Sequence, residues 1–266
     1  MQLVDTHSHI YDPAFDADRE AVLARAVEAG VSHIFLPAID PASDDAMLGL
    51  ALARPDVCYP MMGLHPTSVN DNPGYREDLA RVAGLLERPP VPRFYAVGEV
   101  GLDFYWSRGF VAQQIEAFRY QVELALHHRL PLVIHTRDAW PEMIATLGGY
   151  RSRGLRGVMH SFSGTYDDYR AVRDLGDFRF GIGGVVTFKK SDLPATLARI
   201  PLDDLVLETD APYLTPAPYR GRRNESAYVR HVCDRVAEIY GLTADEVAAT
   251  TTRTALGLFD VAPAGA

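Results

Sequence analysis

The chain has 266 residues, of which 47% are hydrophobic, so it can bury a large core. Its formal net charge of −9 argues against a protein that coats nucleic acid with a basic surface. That charge does not exclude an enzyme acting on phosphates, because metal ions bound beside acidic residues reverse the local field. No run approaches the roughly 18 apolar residues that a transmembrane helix needs.

Two further features bear on the compartment. Cys58 and Cys233 are the only cysteines, and their spacing is not that of a metal site, so no disulfide framework is predicted. The first residues lack the basic and apolar regions of a signal peptide. We therefore expect a cytoplasmic protein that does not associate with membranes.

Short β-rich runs alternate along the chain with longer segments of helical apolar spacing. The predicted strands are 3–7, 33–37, 58–64, 94–99, 132–135, 157–160, 179–182 and 205–208, and the clearest helical segments are 19–28, 79–87 and 113–128. Strands that alternate with helices pair in parallel, since each crossover needs a helix to return the chain. Eight such units predict an α/β fold, one (β/α)8 TIM barrel that forms a single domain over 1–266.

Residues of metal-binding type follow several of these strands. In a strand, alternate side chains point to the same face, so His7 and His9 direct two imidazoles at one point. The active site of such a barrel lies at the carboxyl ends of its strands. The candidate ligands at this rim are His7, His9, Glu99, His135, His160 and Asp210.

Each candidate alone has a simpler interpretation. A single strand-end histidine is more often a hydrogen-bonded loop residue, and a single aspartate often caps a helix. Six such residues on one rim do not fit that account, because two unpaired carboxylates in a crowded barrel mouth would repel and carry a large desolvation cost. Two divalent ions would remove the cost, so the pattern predicts a binuclear metal site.

The sequence resembles the TatD family of metal-dependent deoxyribonucleases, within the amidohydrolase superfamily. The matching stretches are Asp-Thr-His-Ser-His at 5–9, Gly-Leu-His-Pro at 63–66, Gly-Glu-Val-Gly-Leu-Asp at 98–103, His-Ser-Phe-Ser-Gly at 160–164, Glu-Thr-Asp-Ala-Pro-Tyr at 208–213 and Arg-Asn-Glu at 223–225. One departure is Ser226, where family members often have proline after Asn-Glu; it bears on the shape of that loop.

The resemblance implies a role for each ligand. His7, His9 and Asp210 would hold the first metal, His135 and His160 the second, and Glu99 would bridge them. A carboxylate suits the bridge because its two oxygens can hold ions roughly 3.5–4 Å apart. A water between two ions becomes a hydroxide near neutral pH and can attack a phosphodiester, with Asp210 orienting it or taking its proton. Mg²⁺, Mn²⁺ and Zn²⁺ all remain compatible with this ligand set.

His65 also ends a predicted strand, but neither ligand set needs it. It could simply be a rim histidine bonded to a loop carbonyl. The resemblance favours a catalytic and substrate-binding role, in which its imidazole binds the scissile phosphate or protonates the leaving oxygen. The other histidines are interpreted as structural or surface residues: His33, His127, His128 and His231.

Residues that would bind substrate are less clearly marked. Lys189 lies in the loop after the seventh strand and Arg222 in the loop after the eighth, each with neighbouring cations. These side chains could bind the phosphates that flank the cleavage site. Each could equally be an ordinary solvated charge on a surface loop. Tyr105, Trp106 and Phe162 could stack on unpaired bases or pack the barrel mouth. A site at the bottom of such a rim suits strand ends or single strands better than an intact duplex.

Asp103 and Glu208 lie close to proposed ligands and could orient the imidazoles. Together these features predict a metal-dependent hydrolase, and the resemblance implies a deoxyribonuclease that digests single-stranded DNA or strand ends from 3′ to 5′. The alternative is ester, lactone or amide hydrolysis with the same two metals. A non-catalytic barrel would be expected to lack ligands, and this sequence lacks none.

Overall fold

The computed structural model describes residues 1–262 and contains eight strands and nine α-helices within them. The strands are β1 (Leu3–Asp5), β2 (Val31–Pro37), β3 (Cys58–Met61), β4 (Val97–Asp103), β5 (Leu132–Arg137), β6 (Arg156–Met159), β7 (Asp177–Ile182) and β8 (Leu205–Leu207). The helices are α1 (Arg19–Glu28), α2 (Pro41–Ala53), α3 (Tyr75–Glu87), α4 (Val111–His128), α5 (Trp140–Gly148), α6 (Tyr166–Arg173), α7 (Leu193–Leu197), α8 (Val229–Tyr240) and α9 (Ala244–Leu258).

All strand pairs are parallel and follow chain order. One ladder runs β1-β2-β3 and the other β4-β5-β6-β7-β8. A bridge between Met62 and Val97 joins the two ladders, and a bridge between Ser8 and Ala211 closes the ring. The predicted (β/α)8 barrel is thereby confirmed. Its single-domain extent over 1–266 stays a prediction, and residues 263–266 lie outside the described part.

The bounds of the helices were predicted more accurately from apolar periodicity than the ends of the strands were from composition. The bounds of α1 agree with the prediction, and α4 begins two residues earlier than predicted. The fourth strand was predicted at 94–99, which is wrong at both ends, because β4 runs from Val97 to Asp103. Gly101 does not end this strand: its φ is +139°, and an added Cβ would lie 2.1 Å from the carbonyl oxygen of His135 on β5. The glycine permits a close approach of two strands.

An apolar layer fills the barrel directly below its mouth. It includes Val133, Val158 and Val206, all buried. Each lies two residues before a polar residue of the mouth, and alternate residues of a strand share a face. The other end of the barrel is covered by the end of α9, where Phe259 stacks on Phe35 with ring centroids 4.0 Å apart. Apolar packing therefore supports the polar rim from below.

Cys58 and Cys233 are both buried and unpaired. Among residues 1–262, no helix combines the length and the apolar character needed to cross a lipid bilayer.

Candidate metal centre

The six predicted ligands meet at the carboxyl ends of the strands, around the side chain of Glu99. Glu99 lies within β4 at an irregularity in the pairing with β5, where Gly98 pairs with Val133 and Val100 with Ile134. One extra residue on a strand changes the direction of its side chain. The carboxylate is 5% exposed and its two oxygens face different groups of histidines.

Oxygen Oε2 of Glu99 faces the segment that follows β1. It lies 3.2 Å from His7 Nε2 and 3.6 Å from His9 Nε2. Asp210 Oδ1 lies 3.4 Å from His9 Nε2 and 3.9 Å from His7 Nε2. The ligand atoms of His7, His9 and Glu99 lie close enough together to hold one metal ion, and Asp210 forms a second such group with His7 and His160. Imidazole nitrogens and carboxylates are the donors expected for a divalent transition metal.

Tyr11 fixes the tautomer of His9. Its hydroxyl donates to the carbonyl oxygen of Pro37, so the hydroxyl oxygen is left to accept from His9 Nδ1 at 3.1 Å. With the proton on Nδ1, Nε2 carries a free lone pair directed at Glu99 and Asp210. This is the arrangement in which a partner holds a histidine ready to bind a metal through its other nitrogen.

Oxygen Oε1 of Glu99 faces His135, whose Nδ1 lies 3.0 Å away. The second ring nitrogen, Nε2, lies 2.9 Å from Asp103 Oδ2. Although burial acts to lower it, these two contacts raise the pKa of His135 to about 9. Asp103 therefore orients the ring, as was considered for it on sequence grounds, and leaves Nδ1 directed at the centre.

His160 lies closer to His7 than to His135. Its ring stacks on that of His7 with centroids 3.4 Å apart, whereas the His135 centroid is 6.5 Å away. Nε2 of His160 lies 3.7 Å from Glu99 Oε1 and 3.8 Å from Asp210 Oδ1. The distances place His160 between the two groups, so its assignment with His135 to one metal remains a prediction.

Glu208 contacts His160 at the ring nitrogen that does not face Glu99. Its Oε1 lies 3.1 Å from His160 Nδ1 and accepts a hydrogen bond from the Ser161 N–H at 2.7 Å. Gly181 on β7 leaves the room for this buried carboxylate, since a Cβ there would lie 2.1 Å from Glu208 Oε2. Despite burial, the charges of Glu208 and Glu99 raise the pKa of His160 to about 10.

The two carboxylates at this centre, buried Glu99 and partly exposed Asp210, need positive charge beside them. Burial alone would raise the pKa of Glu99, but the facing His65, His7 and His160 hold it well below its usual value. Burial and the charge of His160 lower the pKa of His7 to about 4, which keeps that imidazole neutral and able to bind a metal. Divalent ions would supply the charge that the carboxylates need, so the residues fit the predicted cofactor.

His65 also lies at the centre, with Nε2 3.4 Å from Glu99 Oε1. Its Nδ1 accepts the backbone N–H of Thr67 at 3.2 Å and contacts the Thr67 hydroxyl at 2.6 Å. A neutral His65 with Nδ1 as acceptor carries its proton on Nε2. It therefore presents a donor to the centre, which suits contact with substrate better than ligation of a metal.

The predicted substrate-binding cations lie apart from this cluster. Lys189 and Arg222 are exposed on the loops that follow β7 and β8. Among the described residues, neither side chain has an ion-pair partner or hydrogen-bonds a member of the centre. Tyr105 and Trp106 are 53% and 68% exposed, whereas Phe162 is buried and packs in the mouth.

Sequence reasoning missed several positioning residues. Asp5 is buried and accepts hydrogen bonds from the backbone N–H and the hydroxyl of Thr209, at 2.9 and 2.7 Å. It thereby joins the ends of β1 and β8 beside His7 and Asp210. On α4, buried Gln121 bonds both backbone groups of Leu64, next to His65. A glutamine on the apolar face of that helix was the one available signal.

The family model described as "TatD related DNase" matches residues 4–260. The chain belongs to the TatD-related DNase family. This match over almost the whole sequence agrees with the resemblance carried by the strand-end motifs.

Individual TatD-family relatives cover the chain equally well. It is 35% identical to the "uncharacterized metal-dependent hydrolase YabD" of Bacillus subtilis, over 97% of this chain and 99% of that protein. It is 33% identical to the "3′-5′ ssDNA/RNA exonuclease TatD" of Erwinia tasmaniensis, over 97% of this chain and 100% of that protein. The crystal structure of YJJV, a TatD homologue from Escherichia coli K12, superposes with a TM-score of 0.90 at 31% identity and covers 98% of each chain. The chain is therefore a metal-dependent hydrolase of the TatD family.

Proposed function

We propose that this protein is a two-metal phosphodiesterase that removes nucleotides from the 3′ ends of single-stranded nucleic acid, with DNA as the first substrate to test. The observation that carries the proposal is the position of Glu99. Its two oxygens face two histidine groups, with Oε2 3.2 Å from His7 and Oε1 3.0 Å from His135. A single buried carboxylate shared in this way supports a bridge between two ions.

The ligand assignment is the one that the family resemblance implies. His7, His9 and Asp210 would hold one ion, His135 and His160 the other, with Glu99 common to both. The contacts of Glu99 with His7 and His135 support the shared carboxylate, whereas His160 lies between the two groups. When bound, two divalent ions supply a water of lowered pKa as nucleophile and positive charge for the phosphoryl oxygens. Tyr11, Asp103 and Glu208 would hold the imidazoles in place.

Two residues of the chain act on the reacting groups. Asp210, 15% exposed, has an oxygen that can accept the proton of the attacking water. The Nε2–H of His65 would donate a hydrogen bond to the scissile phosphate. Burial lowers the pKa of His65, which favours the neutral ring that makes this contact. The oxygen that leaves when the P–O bond breaks would then take its proton from Asp210 or from solvent.

Two observations support a nucleic-acid substrate: the exposed cations on the loops after β7 and β8, and the names of several relatives. Lys189 and Arg222 are exposed and free to contact phosphates, which are the usual partners of such cations in nucleic-acid binding. Several relatives, including that of Erwinia tasmaniensis, carry the name of a 3′-5′ ssDNA/RNA exonuclease. Predicted ligands that lie at the bottom of a barrel mouth are reached more easily by a flexible strand end than by a duplex.

The test uses single-stranded DNA labelled at its 5′ end. Chelator-stripped protein is assayed with and without added Mg²⁺, Mn²⁺ or Zn²⁺, beside a His135→Ala variant whose folding is checked by circular dichroism. We expect stepwise shortening from the 3′ end that needs metal and is lost in the variant. No cleavage by the metal-loaded wild type would contradict the proposal and favour ester, lactone or amide hydrolysis.

The flanking cations separate these two reactions. If the substrate is a phosphodiester polymer, Lys189→Ala and Arg222→Ala should each raise KM and reduce the salt dependence of binding, because each removes a phosphate contact. Hydrolysis of a neutral ester or amide should not depend on either side chain. If both variants hydrolysed DNA with the wild-type KM and salt dependence, the two cations would no longer support a phosphodiester substrate.

A further inference from the structure

A cavity of about 420 Å³ lies beside the metal centre, at the end of β5. It is lined by residues 136–141 and by Ser163. Residue 136 follows His135 directly, so the cavity begins one residue beyond a predicted ligand. Its volume falls within the range of about 300–1,000 Å³ that is typical of small-molecule sites.

Arg137 lies at the border of this cavity without an ionic partner. It is exposed, and within residues 1–262 no carboxylate lies within ion-pair distance of its guanidinium. The guanidinium is instead held over the ring of Tyr105, 3.6 Å from the centroid, and lies 5.7 Å from the Trp106 centroid. Such stacking fixes the orientation of the planar guanidinium group, and its N–H donors stay free to bind an anion.

Trp106 exposes a large aromatic surface next to Arg137. It is 68% exposed and packs edge to face against Tyr105, with centroids 5.0 Å apart. The loop that carries both rings is joined to the metal centre, because the Tyr105 N–H donates to Asp103 Oδ1 at 3.1 Å. Asp103 in turn contacts His135. The loop with Tyr105 and Trp106 is therefore connected to His135 by two successive contacts, Tyr105 with Asp103 and Asp103 with His135.

Two residues that line the cavity carry hydroxyl groups, Thr136 and Ser163. The Thr136 hydroxyl is shielded from solvent, whereas Ser163 is exposed. Ser163 is therefore the hydroxyl available to a group bound in the cavity.

We propose that this region is a nucleotide subsite, in which Trp106 stacks on a base of the single strand and Arg137 binds the phosphate attached to that nucleotide. The inference rests on the proposed function and extends it to a second site on the same substrate. A planar ring, an adjacent unpaired guanidinium and the exposed Ser163 hydroxyl match a base joined to a phosphate. Stacking accepts any base, so the subsite would favour unpaired nucleic acid without reading its sequence.

Steady-state kinetics of the metal-loaded enzyme on single-stranded DNA test the subsite. Trp106→Ala should raise KM at least about fivefold and leave kcat nearly unchanged, because stacking away from the reacting phosphate binds ground and transition states equally. Trp106→Phe should restore most of the loss. Arg137→Ala should raise KM by a similar factor and lower its salt dependence.

Two matched variants serve as controls. Tyr120→Ala removes an exposed aromatic ring from α4, which is 42% exposed in the structure. Arg153→Ala removes an arginine that stacks on Tyr150, 5.4 Å from the centroid, in the loop before β6. That loop is at the amino ends of the strands, away from the metal centre, so both controls should retain the wild-type KM.

A series of substrates that lack one base at a time among the last three nucleotides locates the subsite. At the position that Trp106 contacts, wild type and Trp106→Ala should have the same KM. Equal KM values for both proteins on intact DNA, or no convergence at any position, would overturn the subsite. Loss of kcat in Trp106→Ala at unchanged KM would also overturn it.

Failure of the proposed function gives a different result. In that case the wild type itself cleaves no DNA, and no variant can be compared by rate. The subsite is then judged by fluorescence anisotropy of a labelled phosphorothioate oligonucleotide on the metal-loaded protein. Binding that weakens in Trp106→Ala and Arg137→Ala, but not in the two controls, supports it. Equal binding by all five proteins contradicts it.

Discussion

Tyr11 illustrates how a residue outside the ligand set determines the chemistry of a ligand. Its hydroxyl oxygen is the only acceptor found for His9 Nδ1 among the described residues, and its proton is used by the carbonyl of Pro37. Without that acceptor, His9 could place its proton on Nε2, the nitrogen directed at Glu99. Partners of this kind typically change metal affinity about 10–100-fold.

Tyr11→Phe should therefore weaken metal binding by about 10–100-fold while the fold is retained. The measurement is competition between the protein and a chromophoric chelator for Zn²⁺ or Mn²⁺ at neutral pH. Tyr75→Phe, which alters a buried tyrosine on α3 away from the centre, is the control. Unchanged affinity in Tyr11→Phe would show that the hydroxyl does not set the tautomer.

The convergence of the six predicted ligands could be expected from the sequence because each lies in or just after an apolar strand-like run, and barrel topology brings the strands together. Tyr11 and Asp5 could not be predicted in the same way. Asp5 acts on Thr209, 204 residues along the chain. Such contacts depend on the closure of the barrel, which local patterns do not specify. The tautomer of His65 likewise depends on a backbone N–H that only the folded turn presents.

At the scale of elements, α4 connects two strand ends that carry residues of the site. Gln121 accepts from the Leu64 N–H at 2.7 Å and donates to the Leu64 carbonyl at 3.1 Å. Gln114 makes the equivalent pair of bonds to Asp103, at 2.8 and 2.9 Å. Both glutamines replace strand pairing where β3 and β4 diverge near the mouth.

Gln121→Met should destabilise the protein by about 2 kcal/mol or more, since it leaves a buried N–H and a buried carbonyl unpaired at about 1–3 kcal/mol each. Urea unfolding followed by circular dichroism measures this. Gln113→Met on the same helix is the matched control, because in the described structure its side chain makes no hydrogen bond. Equal stability of the two variants would contradict the role of Gln121.

Helices and strands differed in how well they could be predicted. The apolar periodicity of α1 and α4 follows directly from which face packs on the barrel. The end of β4 could not be predicted, because Gly98 and Gly101 are typical of a turn. In the structure they allow β4 and β5 to approach closely, and the strand continues to Asp103.

At the scale of the whole molecule, the reactivity of the two cysteines measures opening of the barrel. Cys58 on β3 and Cys233 on α8 are buried, and burial raises the pKa of each thiol to about 12. At pH 8 both thiols are therefore neutral in the folded state, whereas in the unfolded state, with a pKa of about 8.5, a sizeable fraction is thiolate.

Native protein should therefore react with a thiol-specific reagent at pH 8 only as fast as it unfolds, and both cysteines should react together. Mass spectrometry of the labelled protein counts the modified sites over time, and a urea-unfolded sample gives the full rate. Fast labelling of one cysteine in native protein would show that its part of the barrel opens independently.

In the proposed phosphodiesterase centre, Glu99 would be shared by two divalent ions. The direct measurement counts bound metal by inductively coupled plasma mass spectrometry in wild type and Glu99→Gln, and assays DNA hydrolysis on the same preparations. We expect two ions per wild-type chain, with metal content lowered and activity almost abolished in the variant. Two tightly bound ions and normal turnover in Glu99→Gln would contradict the account.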